Sequence, residues 1–179
     1  MFAKPRLYQT HLSFFGQTDP RVRLGQWTLA LIGDGSTAHC LEALLSPRCQ
    51  QQKVTFKHIQ IPPPVLLEKE DGWALPLENT QEEAHVCLFA FESDILDAQA
   101  RITQSHHPLV QHLLMAHLAK PNVSRRGLSI DSMTCSLRST HRLAKTLFAV
   151  GTLTQEENFL STHEIQAQCL RVAEGLFGF

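Results

Sequence analysis

Hydrophobic positions alternate or cluster over short stretches along most of the chain, and polar or proline-rich breaks separate them. The first run, Trp27-Thr-Leu-Ala-Leu-Ile32, is too short for its periodicity alone to decide between strand and helix. It meets Gly33-Asp-Gly-Ser-Thr37, where Asp34 or Ser36 can cap a following helix by accepting from free backbone N–H groups. Leu41, Leu44 and Leu45 share one side of that helix, and Pro47 is expected to stop it.

Val54–Ile61 is β-branched and aromatic and reads as a strand, followed by the extended triplet Pro62-Pro63-Pro64. Two short strand pieces, Val65–Leu67 and Trp73–Leu77, flank the turn pair Asp71-Gly72. From His85 to Glu92, Val86, Leu88 and Ala90 face one way while Cys87, Phe89 and Phe91 face the other. That strand is therefore expected to be buried on both faces. Ser93-Asp94 opens a short helix to about Gln104, and Pro108 opens another with Leu109, Val110, Leu113, Leu114 and Leu118 as its apolar stripe. Leu128–Thr134, Leu143–Val150 and Asn158–Leu170 read as three more strands. The sum is a single α+β domain over residues 1–179, with about six mostly antiparallel strands and helices in the gaps.

Composition narrows the class. With 179 residues, 43% apolar and 18% charged, the chain can build a core without disulfide staples. No apolar run approaches about 18 residues, so no membrane-spanning helix is expected. Residues 1–18 do not read as a signal peptide. The five cysteines are scattered with no Cys-x-x-Cys pair, as in reduced cytoplasmic proteins. The net charge of −1 argues against nucleic acid as a partner. Its distribution is uneven. Residues 54–100 hold two lysines against nine acidic residues, and residues 101–145 hold seven cations against Asp131 alone. The basic stretch reads either as a solvated face or as a surface attracting an anion or acidic partner.

Candidate chemistry is sparse. Gly33–Thr37 can be a phosphate cradle at a helix start or an ordinary capped start, and no lysine makes it a P-loop. His106, His107, His112 and His117 are spaced wrongly to converge on a metal, so no metal is expected. Cys87 lies in an apparently buried strand, where an inert thiol is the default. Glu164, placed in the last strand beside Leu160 and Thr162, is a carboxylate either facing solvent or turned inward, where it needs a partner or a raised pKa.

Leu29–Ala43, with its Asp-Gly-Ser-Thr and Leu-Glu-Ala, resembles the opening signature of the chorismate pyruvate-lyase family. His107–Leu114 is similar to that family's Pro-Leu-Gly-Arg helix start, with Val110 and Gln111 in place of the glycine and arginine. Leu143–Val150 and Phe159–Ile165 resemble its closing hairpin. The resemblance implies an antiparallel sheet of about six strands with helices covering an enclosed pocket. It implies cleavage of chorismate to 4-hydroxybenzoate and pyruvate for quinone synthesis, with no cofactor. Glu164 is then the catalytic residue. Ser36, Thr37 and Val110 line the substrate site, and Arg142 or Lys145 stands in for the carboxylate-clamping arginine, since residues 54–100 contain none. The alternative on the same fold is a non-catalytic module that binds a small aromatic or carboxylate ligand.

Overall fold

A computed structural model describes residues 27–95, 100–156 and 160–177. Its centre is a four-stranded, wholly parallel sheet in the order β2 (Thr55–Ile59), β1 (Thr28–Ile32), β6 (Val86–Phe89), β7 (Leu147–Ala149). β1 (Thr28–Ile32) leads into helix α1 (Ser36–Gln51), which returns to β2 (Thr55–Ile59) beside β1. A small antiparallel meander follows, made of β3 (Leu67–Glu68), β4 (Trp73–Pro76) and β5 (Gln81–Ala84). β6 (Val86–Phe89) pairs with β1 on the side away from β2, Leu29 opposite Val86. Helix α2 (Pro108–Met115), β7 (Leu147–Ala149) and helix α3 (Thr162–Phe177) complete the chain.

This parallel sheet corrects the expected antiparallel architecture of about six strands. The physical reason is visible in β6. Its four residues are all buried, because one face packs on helices and the other on the meander and α2. Parallel strands need crossovers that cover both sheet faces, and they read as near-continuous apolar runs. On one face, Leu29, Leu31, Val86, Leu88 and Phe148 pack against Leu41 and Leu45 of α1 and Cys169, Val172 and Leu176 of α3. On the other, Ala30, Ile32, Cys87, Phe89 and Leu147 meet Trp73 and Leu75 of the meander and Leu109, Val110 and Leu113 of α2.

Local assignments are corrected too. Residues 162–177, read as the end of a strand and its tail, form α3, whose buried Cys169, Val172, Ala173 and Leu176 recur at helical spacing. α1 runs through Pro47 to Gln51, with the Arg48 guanidinium donating to the Leu44 carbonyl at 2.6 Å. Within 128–137 there are only isolated antiparallel bridges, Pro121 with Leu128, Ile130 with Leu137, and Ser136 with Phe148 of β7. Of the helix expected from Ser93 to Gln104, residues 96–99 lie outside the described residues and the rest contributes one 3-10 turn, Ile102–Gln104. The helix opened by Pro108 forms as expected, its start capped by the His107 side chain, which accepts from Leu109 N–H.

Two contacts fix the sheet's flanks. Trp73 Nε1 donates to Thr146 Oγ1 at 3.0 Å, and that hydroxyl donates to the Leu143 carbonyl at 2.7 Å, tying the meander to the entry of β7. At the other end of β7, the Gln168 side chain accepts from Gly151 N–H at 2.8 Å and donates to Thr154 Oγ1 at 2.9 Å. Thr146→Val leaves the buried indole N–H without an acceptor. We expect a loss of about 1–3 kcal/mol, read from the urea midpoint at unchanged m-value.

Candidate functional site at the carboxyl edge of the parallel sheet

The strand order reverses at β1: the chain goes from β1 to β2 on one side, then returns to place β6 on the other. In open α/β sheets the crevice outside the carboxyl ends of the strands, at such a switch point, is where ligands bind. Here the segments that leave the carboxyl ends are Gly33-Asp34-Gly35 after β1, Gln60 after β2, Phe91-Glu92-Ser93 beyond β6, and Gly151-Thr152 beyond β7.

Each small residue of the first loop has a distinct reason. Gly33 (φ +136°) gives its N–H to the Ile59 carbonyl at 2.9 Å, and a Cβ on it would lie 2.6 Å from the backbone of Ala90 and Phe91. No side chain fits there. Gly35 (φ +108°) holds a backbone conformation that L side chains rarely adopt, and a Cβ on it would meet the Glu92 carboxylate at 3.6 Å, an ordinary contact. Ala38 is fully buried in the core that α1 shares with the sheet. Gly35 is the residue before α1, and no side chain caps the helix. The N–H groups of Ser36, Thr37 and Ala38 thus start a helix whose first-turn donors are left for a ligand or water. Asp34 Oδ1 accepts from Gly35 N–H at 2.9 Å and pairs with His39 Nε2 at 3.3 Å.

The rest of the rim is held by polar contacts. Ser93 N–H donates to Thr152 Oγ1 at 2.7 Å, linking the exits of β6 and β7. The His107 ring stacks on Phe91 with centroids 4.3 Å apart. Burial holds His107 below the ordinary histidine range against the pull of Asp94, so its Nδ1 stays free to accept from Leu109. For Asp94, burial pushes the carboxyl up. Hydrogen bonds from Ser105 Oγ at 2.5 Å and His106 N–H at 2.6 Å outweigh that, and its net direction is down.

The residues singled out in the sequence are dispersed. Ser36 and Thr37 begin α1 at the carboxyl edge, Thr37 buried against Gly151. Val110 is fully buried in α2. Lys145 precedes β7 at the opposite, amino edge, where it lines a depression of about 620 Å³ with His117, Lys120 and Arg138. Arg142 is exposed and pairs with Glu68 at 2.9 Å. Glu164 is exposed on the first turn of α3, where it forms a capping box. Its carboxylate accepts from Ser161 N–H at 2.8 Å, and Ser161 Oγ accepts from Glu164 N–H at 3.1 Å.

Sequence reasoning missed Gly33, Gly35 and Ala38 as a unit. The signal was present: Gly-x-Gly-x-x-Ala directly after an apolar run and opening a helix. Among the described residues, no group of three His, Cys, Asp or Glu side chains could hold a metal ion, and no helix is long and apolar enough to cross a membrane.

No family model matches the chain, and no curated protein matches it. Among solved structures it is similar to the Cu(II) complex of the HOCl-induced flavoprotein disulfide reductase RclA from Escherichia coli, at 12% identity and a TM-score of 0.29 over 84% of this chain and 36% of that one. It is also similar to a pyridine nucleotide-disulfide family oxidoreductase from Enterococcus faecalis, at 15% identity and a TM-score of 0.27 over 84% and 39%. T. acidophilum thioredoxin reductase matches at 10% identity and a TM-score of 0.28, over 84% and 52%. The chain spans between about a third and a half of the length of these proteins. Likeness this weak carries no functional weight. The resemblance to chorismate pyruvate-lyases, and with it the lyase reaction and its 4-hydroxybenzoate product, is nonetheless overturned. The sheet is parallel, and the closing hairpin is a strand and a helix.

Thiol chemistry separates cleanly. Burial pushes the Cys49 and Cys169 thiols up to about 12 and Cys135 to about 11, and lifts Cys87 further still. Cys40 alone is half-buried. With an aromatic disulfide reagent at pH 8, we expect Cys40 to react first in the native protein and all five thiols to react after unfolding.

Proposed function

We propose that the domain binds a dinucleotide, flavin- or nicotinamide-based, at the carboxyl edge of the parallel sheet, with the pyrophosphate at the start of α1. One observation carries this reading. Gly33-x-Gly35-x-x-Ala38 sits between β1 and α1 of a β-α-β unit at the switch point: the Ala90–Phe91 backbone keeps Gly33 small, a positive φ favours glycine at 35, and Ala38 is fully buried. Gly33 makes the tight turn, Gly35 leaves room for close approach, and Ala38 lets the helix lie on the sheet.

The phosphate-facing half fits this class of ligand. The uncapped N–H groups of Ser36, Thr37 and Ala38 supply donors, and the positive end of the α1 dipole favours an anion. The ribose-facing half departs from the usual pattern. Sites for unphosphorylated nicotinamide dinucleotides carry an Asp or Glu near the end of the second strand, whereas Gln60 follows Ile59 here. An amide both donates and accepts, so it can serve ribose hydroxyls and does not repel a 2′-phosphate. When bound, such a cofactor supplies hydride or electron transfer. The protein's own residues bind and orient it: Thr152 and Ser93 hold the rim, and the Phe91–His107 stack walls the side toward α2.

Flavin adenine dinucleotide, NADH and NADPH titrated by fluorescence and followed by thermal shift are expected to give saturable binding by at least one of them. No shift from any of the three at 1 mM overturns the reading. Gly35→Ala places a methyl group beside the Glu92 carboxylate, before the start of α1. Binding should weaken about tenfold or more, at a stability cost of about 1 kcal/mol from the positive φ.

A further inference from the structure

The glycine loop is gripped from below by a histidine with no spare nitrogen. His58, on β2, has only 12% of its side chain exposed. Its Nε2 lies 2.8 Å from the Gly33 carbonyl and its Nδ1 lies 2.9 Å from Glu42 Oε2 on α1. A peptide carbonyl only accepts, and so does an ionised carboxylate. A neutral imidazole has one N–H and would set a bare nitrogen against one of these oxygens. The ring satisfies both only with a proton on each nitrogen. One ring thus joins β2, α1 and the residue at which β1 turns.

Charge around the loop is otherwise negative. Asp34 lies in the loop itself, Glu42 on α1 and Glu92 beyond β6. The nearby cation-forming groups are His39, paired with Asp34 at 3.3 Å, and His58, whose ring meets that of His39 edge-on at 6.3 Å. Lys57, the neighbour of His58 on β2, is committed to Glu82 at 2.5 Å. With His58 charged, the Glu42 carboxylate is neutralised and the loop presents its amides to an anion. With His58 neutral, one of its contacts becomes repulsive and the loop gains a negative charge.

We propose that His58 is a doubly protonated positioning residue that clamps the Gly33 carbonyl and makes anion binding at the α1 start depend on that proton. The pH-dependent arm rests on the dinucleotide reading above; the clamp does not. The sign follows from linkage. If the anion binds the protonated loop better, loss of the proton weakens binding, by up to tenfold per pH unit for one proton.

Two measurements on the full chain test this. Long-range proton–nitrogen NMR spectra of the histidine rings, assigned with His58→Gln, are expected to show both His58 nitrogens protonated at pH 7. A His58 ring with one bare nitrogen at pH 7 overturns the proposal whatever the protein binds. Titration with the dinucleotide that binds, or with inorganic pyrophosphate, is expected to give at least fivefold weaker binding at pH 8.5 than at pH 6.0. His58→Gln should flatten that dependence, and His39→Gln should leave most of it. A pH dependence that persists unchanged in His58→Gln also overturns the proposal. A doubly protonated ring in a protein that binds neither probe sustains the clamp and removes the dinucleotide reading instead.

Discussion

Everything at the carboxyl edge depends on how closely one backbone passes another. Where β1 ends, Gly33 lies so near the Ala90–Phe91 peptide that a single added carbon would sit 2.6 Å from it. The same residue gives its N–H to Ile59 of β2, and Ala90 N–H reaches the Ile32 carbonyl. Three adjacent parallel strands are thus joined at one point, and the turn into α1 is forced to be sharp. A larger residue at 33 would push β6 from β1 and splay the rim that Ser93 and Thr152 close.

That constraint separates the two ends of the sheet. At the carboxyl end, donors are uncapped and the loop is glycine-rich. At the amino end, the cations Lys120, Arg138 and Lys145 border a broad depression beside β7. The uneven charge seen along the sequence is therefore spatial as well. The acid-rich stretch contributes the meander and β6, and part of the basic stretch forms the β7 entry.

Local signals carried much of the secondary structure and little of the topology. The start of α1 was legible from Gly33–Thr37 and its leucines, and the start of α2 from Pro108, because caps and proline act within one turn. The two-sided burial of β6 was also legible in the alternation from Val86 to Phe91. It pointed to a parallel strand, but pairing partners 57 residues apart leave no local mark. α3 was misread although Ser161-x-x-Glu164 is a capping-box spacing and Cys169, Val172, Ala173 and Leu176 keep a helical period. Strands of two to five residues are too short to announce direction. Glu164 attracted attention as a carboxylate among apolar neighbours, and its surroundings explain why: it closes a helix end. His58 drew none, since a histidine's partners on another element cannot be read from spacing.

The lock between Gln168 and the Gly151 turn has a consequence for how the chain matures on the ribosome. The Gly151 N–H at the exit of β7 finds its acceptor on a side chain seventeen residues later in the chain. Until α3 has emerged, the apolar face that Cys169, Val172 and Leu176 cover stays open to water. Nascent protein ending before that helix therefore presents a parallel sheet with one side covered by α1 alone, a surface for chaperones to hold and for unfinished neighbours to stick to.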